Sequence, residues 1–308
     1  ADIPEEDMVD ERAALGGLAF DRRVGATTRC PIDRYCYPLQ DTQIEVADEL
    51  HAAGGTPIGS VVDIDYGTRT VDVKKSAAVA DLHPAGVFAF ERVNVEVLVG
   101  AIERLAVDVI EHGMGASGRF SAARRLLLRT PPSLPEGELS IAPAEDPVAL
   151  GRLVSGMRDT VLPIQGPPGA GKTHTGARMI VEAVRRGLRV GVAAGSHKVI
   201  RNLLDAVNKA AAVHGGVSLR CAEKVTDYSE AQGPVCEVRE AKKLRWMIED
   251  REVSVVGGTP WLWASEDWEQ AVDVMFIDEA GQLSLANALA VAQAAHGVVL
   301  LGDPRQLE

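Results

Sequence analysis

No stretch of this 308-residue chain approaches the roughly 20 consecutive apolar residues that a membrane-spanning helix needs. That excludes a helical membrane protein, and no membrane partner is expected. The first residues, ADIPEEDMVDERAAL, are acidic and lack the basic start and apolar core of a secretory signal, so the expected location is the cytoplasm. Cysteine is scarce: Cys30, Cys36, Cys221 and Cys236 form no CxxC pair. That spacing favours reduced thiols over a zinc or iron–sulfur site. Positive charge is also short. The 32 Lys and Arg face 44 Asp and Glu, a net charge of −12, which argues against a protein that coats nucleic acid everywhere. A local basic track stays open, because binding depends on the field at a groove rather than on the total. Three small basic clusters exist (Arg124, Arg125, Arg129; Arg185, Arg186, Arg189; Lys242, Lys243, Arg245) and read as solvated helix faces.

What is present is a soluble, globular composition, 46% hydrophobic and 25% charged, long enough for two or three cores. The strongest signal is central: VLPIQGPPGAGKTHTGARMIVEAVRRG. Val161 to Ile164 read as a strand, and Thr173 to Arg186 as a helix that stops at Gly187. Between them Gly166-Pro167-Pro168-Gly169-Ala170-Gly171-Lys172-Thr173 fits the phosphate-loop pattern G-x-x-x-x-G-K-[ST], with His174 next in line. Further short apolar strands are expected at LRVGVAA, VSVVGG, VDVMFID and GVVLLGD, with helices such as 198–212 and 283–295 between them. Alternating strands and helices predict an α/β fold, a parallel sheet covered on both faces, with its chemistry at the carboxyl ends of the strands.

Residues 1–130 differ. TPIGSVVDIDYGTRTVDVKKS alternates with period two around a turn at Asp65-Tyr66-Gly67, a hairpin of a small β-barrel. NVEVLVGAIERLAVDVIEHG then carries one apolar stripe, a helix capped by Asn94 and ended at Gly113. The organisation expected is an accessory barrel with stalk helices over 1–130, a proline-rich linker over 131–147, and the α/β domain over 148–308. A helix is expected from Asp146-Pro147 to about Arg158. Residues 215–236, polar and without period, read as a surface insertion.

Each candidate residue has a chemical reason. Glycines let the loop backbone turn its N–H groups toward a phosphate, and the helix adds its positive end. Lys172 would reach the outer phosphates and Thr173 would hold Mg²⁺. In VDVMFIDEA the buried strand delivers Asp278, a magnesium ligand, and Glu279, a base for the attacking water.

The motif order GPPGAGKT, AAGSHKVIRNLL, VVGGTPWLWA, FIDEAGQLS, LLGDPRQLE over Val161 to Glu308 resembles superfamily 1 helicases. It is most similar to the group, superfamily 1B, that holds the nonsense-mediated-decay helicase and nuclease–helicases. The resemblance implies a RecA-like P-loop ATPase domain that uses ATP and Mg²⁺ and acts on single-stranded nucleic acid, DNA before RNA. It implies that Gln306 senses the γ-phosphate, and that Lys172, Glu279 and Gln306 share the catalytic work. It places Ser196, His197 and Lys198 in a first strand-binding motif, and Gly258 and Thr259 in a second. Trp261 and Trp263 are either base-stacking or core residues. The N-terminal part resembles the barrel on stalks that precedes such motors, and bacterial relatives carry a RecB-like nuclease, here expected outside this chain. Such helicases have a second RecA-like domain that supplies arginine fingers. Its motifs do not follow Glu308, so the expectation is a fragment that binds ATP but does not unwind alone. Two other readings stay open: a non-helicase P-loop ATPase or kinase, and a non-hydrolysing nucleotide or single-strand binding module.

Overall fold

Two compact units divide the chain, Ala1–Val93 and Asn94–Glu308. The computed structural model describes residues 7–27, 30–89, 94–115, 118–133, 149, 153–154, 156–167, 169–214, 219–229 and 233–303.

Period-two sequence builds the first unit. Strands β1 (Ala14–Gly16), β2 (Ala19–Thr27), β3 (Cys30–Cys36), β4 (Glu49–Ala52), β5 (Pro57–Asp65), β6 (Thr70–Lys75) and β7 (Gly86–Ala89) form one sheet. Its order is β1-β7-β4-β5-β6-β3-β2, with every neighbour antiparallel. β1 and β2 lie at opposite edges, yet only Gly17 and Leu18 separate them in sequence. So short a link spans about 11 Å at most, so the sheet curls into a barrel. Leu15, Tyr35, Ile44, Leu50, Ile58, Val61, Val71 and Val87 fill it. The expected hairpin is β5–β6. Its turn is held by Asp65, whose Oδ1 accepts from the N–H groups of Gly67 (2.8 Å) and Thr68 (3.0 Å).

The second unit alternates. Helices α1 (Glu96–His112) and α2 (Ser121–Leu128) come first, followed by β8 (Thr160–Gln165), α3 (Lys172–Arg185), β9 (Val190–Ala193) and α4 (His197–His214). Then come β10 (Cys221–Lys224), β11 (Cys236–Val238), α5 (Ala241–Glu249), β12 (Val255–Gly258), α6 (Pro260–Trp263), β13 (Val272–Ile277), α7 (Leu285–Ala292) and β14 (Ala295–Gly302). The sheet order is β11-β10-β12-β9-β13-β14-β8, all parallel. Pro163 has no N–H to donate, and β8 is an edge strand, where that is tolerated. Strand alternation sorts the two faces. Val274 and Phe276 of β13 pack with Ile180 of α3 and Leu203 and Val207 of α4. Met275 and Ile277 pack with Leu244 of α5, Trp263 of α6, Leu289 of α7 and Phe120 before α2. The α/β P-loop architecture expected from the alternation is the one observed.

Three expectations change. The helix at 94–112 belongs to the second unit, so the compact division falls at Val93/Asn94 and not at 130. Its stripe explains why: Leu98, Ala101 and Leu105 are buried, and each leucine so buried is worth about 1.5–3 kcal/mol. Polar ties add direction, Arg104 Nη2 to the Ala264 carbonyl and Gln293 Nε2 to the Ala101 carbonyl, both 2.7 Å. Second, the segment 215–236 is not only a surface insertion. It supplies β10 and the first residue of β11, and buries Cys221, Ala222 and Glu223. Strands of four and three residues are too short for periodicity to reveal. Third, Arg124 does not lie on a solvated face; it is buried in an ion pair with Asp108. Most of the linker, 134–147, and most of the expected 146–158 helix lie outside the described residues.

Candidate nucleotide site and strand groove

Because every strand of the second sheet is parallel, all its carboxyl ends share one edge. Six sequence segments far apart in the chain therefore meet there, those after β8, β9, β10, β12, β13 and β14.

After β8 the chain turns through Gly169 (φ 77°) and Gly171 (φ 80°), left-handed conformations that a side chain disfavours. α3 begins directly behind, at Lys172. Its first N–H groups have no partner inside the helix and point out of its start. The Lys172 ammonium donates to the carbonyls of Gly166 (2.5 Å) and Pro167 (2.9 Å) in its own loop. Gly166 N–H in turn bonds the carbonyl of Gly302 at the tip of β14 (3.4 Å). Gly166, Lys172 and Thr173 are half-buried; Pro167, Gly169, Ala170, Gly171 and His174 are exposed. Pro168 and Gln306 lie outside the described residues.

β13 ends at Ile277 and delivers Asp278, which is 5% exposed. Its backbone N–H bonds Ala193 at the tip of β9 (2.9 Å). Its carboxylate is hydrogen-bonded by the Thr173 side chain and lies in the field of Lys172, so the two halves of the expected site converge. Glu279 follows in a left-handed conformation (φ 49°, ψ 43°), at a cost of about 1–2 kcal/mol for a residue with a side chain. Its N–H donates to Asp278 Oδ1 (3.0 Å), and its carboxylate is only partly buried.

A groove of about 480 Å³ opens along the same edge, past β9, β10 and β12. His197, Lys224, Thr226, Thr259, Trp261 and Ser265 line it. Ser196, His197 and Lys198 are exposed at the start of α4, where Ser196 Oγ accepts from Val199 N–H (3.4 Å). His197 Nδ1 is 3.0 Å from Glu223 Oε1, and Arg201 bonds both Glu223 and Glu237 (2.6 Å each). Gly258 does not face the groove. It is buried, with its carbonyl accepting from Trp263 Nε1 (2.9 Å). Thr259 lies one residue on and borders the groove.

The two tryptophans separate. Trp263 is 1% exposed, stacks edge-on against Trp268, and lies so close to β9 that a Cβ on Gly191 would meet its ring at 3.0 Å. It is a core residue and cannot stack on a base. Trp261 is 37% exposed.

The family model of the AAA domain matches residues 148–308. The chain belongs to the AAA domain family. No curated relative matches it. Among solved structures it is similar to arterivirus nonstructural protein 10, a helicase, at 13% identity over 96% of this chain and 47% of that one, TM-score 0.35. The same helicase in complex with DNA matches at 17% identity over 47% of this chain and 29% of that one, TM-score 0.31. The DUF1998 helicase MrfA bound to DNA matches at 14% identity over 46% and 20%, TM-score 0.34. The chain thus spans less than half the length of each of these proteins.

In this AAA domain the electrostatics centre on Asp278. Burial holds its carboxyl above the usual carboxylate range, and Glu279 next door pushes the same way. The Glu279 N–H, Lys172 and Thr173 only partly offset this. A buried carboxylate short of positive charge, beside a hydroxyl and a half-exposed ammonium, is the donor set a magnesium–nucleotide takes. Mg²⁺ asks for one or two carboxylates plus phosphate oxygens rather than an all-protein cage. The residues present therefore fit that group. Among the described residues no cluster of three or more His, Cys, Asp or Glu forms another metal site, and no helix is long and apolar enough to cross a membrane. Burial pushes the Cys221 thiol up to about 12.

Sequence reasoning missed Lys224, Thr226 and Ser265 in the groove. They sit in short or irregular segments, and only the sheet order, which puts β10 beside β12, brings them to Thr259.

Proposed function

We propose that this chain is the ATP-dependent motor domain of a superfamily 1B helicase and that it acts on single-stranded nucleic acid. The observation that carries the reading is the convergence of the phosphate loop, Asp278 and Glu279 on the sheet edge that also bears the groove. Gly166 to Thr173 and His174 cradle the phosphates. Lys172 leaves its loop carbonyls for the outer phosphates, and Thr173 and Asp278 hold Mg²⁺. The magnesium–nucleotide supplies the phosphoryl group and the charge that polarises it. Glu279, partly exposed at the tip of β13, would accept the proton of an attacking water. Ser196, His197, Lys198 and Thr259 contact the strand backbone with hydroxyl and cationic groups, while Gly258 acts from beneath, by holding the turn. Gln306 is assigned the γ-phosphate contact on the motif resemblance.

Calorimetry with ATP–Mg²⁺, with and without a single-stranded oligonucleotide, tests this. The chain should bind ATP–Mg²⁺, and strand and nucleotide should alter each other's affinity by one common factor. Glu279→Gln should keep both affinities and lower hydrolysis. Nucleotide binding indifferent to the strand would favour a non-helicase P-loop ATPase.

A further inference from the structure

We propose that Trp261 is a base-stacking platform, fixed in place by the residue at which the chain enters the second unit. The proposal rests on the reading that the groove takes a single strand. Trp261 and Trp263 are two positions apart on α6, so they leave the helix on different sides. Trp263 goes into the core. Trp261 borders the groove, and its indole N–H donates to the carbonyl of Asn94 at 2.7 Å, just before α1. The polar edge of the ring is therefore satisfied and its orientation set. What remains is a flat apolar surface beside hydroxyls and cations. Ring freedom lost in advance is not lost again on binding.

The neighbours define the occupant. Thr259, Thr226 and Ser265 offer hydroxyls. Lys224 Nζ donates to the Val225 carbonyl (3.0 Å) and has no carboxylate partner among the described residues. The acids of β10 and β11, Glu223 and Glu237, are already matched by Arg201, with His197 also on Glu223. An aromatic face next to unneutralised donors suits a ligand with a flat base on one side and a phosphate on the other. Every base has a π-face, so such a contact tolerates any sequence.

The test is a cycle of two proteins and two strands. Fluorescein-labelled dT12 and a strand of equal length and charge carrying abasic sites are titrated by anisotropy against wild type and Trp261→Ala. Mg²⁺–mant-ATP binding and a thermal melt serve as controls. Trp261→Ala should weaken dT12 binding by roughly 5- to 150-fold. The abasic strand should bind wild type weakly, and Trp261→Ala should then add no further loss. Trp261→Phe keeps a ring without the N–H bond and should stay within about threefold of wild type, against the larger loss of a stacking partner. Trp246→Ala, which removes a second exposed indole on α5, should bind as wild type. Equal dT12 affinity in Trp261→Ala and wild type would overturn the stacking role while leaving the groove standing. So would full losses that multiply across the cycle. If wild type binds mant-ATP but no strand at all, the single-strand reading fails with it. Should Trp261→Ala not fold, the wild-type contrast between dT12 and the abasic strand decides, and equal affinities refute stacking.

Discussion

Lys75 and Lys172 carry the same charge in two units and have opposite surroundings. Lys75, in the barrel, is fully buried. Its ammonium reaches Asp33 (3.0 Å), the Tyr35 hydroxyl (3.1 Å) and the carbonyls of Ala80 (3.0 Å) and Leu82 (2.8 Å). The Tyr35 hydroxyl, which accepts from Lys75, is also hydrogen-bonded to His83 Nδ1, 2.9 Å away. Asp33 also takes Arg23, and these cations, set against burial, hold its carboxyl below the usual range. Lys172 is half-buried and is bonded to two carbonyls of its own loop. Beside it Asp278 is buried and held above the usual range. A charge network closed on itself fixes a fold. A lysine with only backbone acceptors, next to a carboxylate that burial destabilises, leaves charge that the proposed magnesium–nucleotide would complete.

The contrast is sharpest if Lys75 is shortened of its charge. Lys75→Met leaves Asp33 buried with Arg23 alone and should cost the first unit about 3–5 kcal/mol, read as a lower urea midpoint. ATP–Mg²⁺ affinity should not change. Undiminished stability would mean that the closed network is not what holds the barrel. Lys172→Ala should do the reverse. Affinity for ATP–Mg²⁺ should fall about 100-fold, the scale of a lost charged hydrogen bond, with the melting temperature nearly unmoved. Calorimetry and a melt on one sample check both halves.

A smaller effect is expected at Asp278. A carboxyl whose pKa is raised on folding stabilises the fold fully only below its unfolded value, and that contribution is lost as pH rises through the raised one. At neutral pH without ligand, ionised Asp278 is therefore a cost. Asp278→Asn should raise the melting temperature there, within the ~2–4 °C that 1 kcal/mol makes in a domain of this size, while weakening Mg²⁺-dependent binding. A lower melting temperature would show that Asp278 is satisfied as it stands. The last effect lies in the barrel. Burial, aided by Lys75, holds the His83 pKa below its usual value. The unfolded chain then takes the proton first, so the first unit should lose stability as pH falls from about 6.5, the ordinary histidine value, toward the lowered one. His83→Gln should flatten that part of the melting curve against pH. An equal slope in the variant would place the titration elsewhere.

Much of this was legible without coordinates. The phosphate loop, with glycines at 169 and 171 and a strand and helix on either side, sits within a residue or two of its expected place. So do β9, β12, β13 and β14, because a buried parallel strand must be a short apolar run. The Asp278–Glu279 pair was legible for the same reason, as the first polar residues after such a run. The groove was not. Lys224 belongs to a four-residue strand without period, and Trp261 and Trp263 are indistinguishable in the string GTPWLWA.

Local pattern was enough to mark the loop glycines, the helix start and the strand-tip carboxylates, because backbone sterics and the hydrophobic run set each of them in place. It took the folded chain to show that the helix at 96–112 serves the second unit, that β10 lies beside β12, and that Trp261 faces the groove while Trp263 fills the core. Those outcomes depend on which apolar surfaces find each other across the chain, and no local pattern encodes a partner.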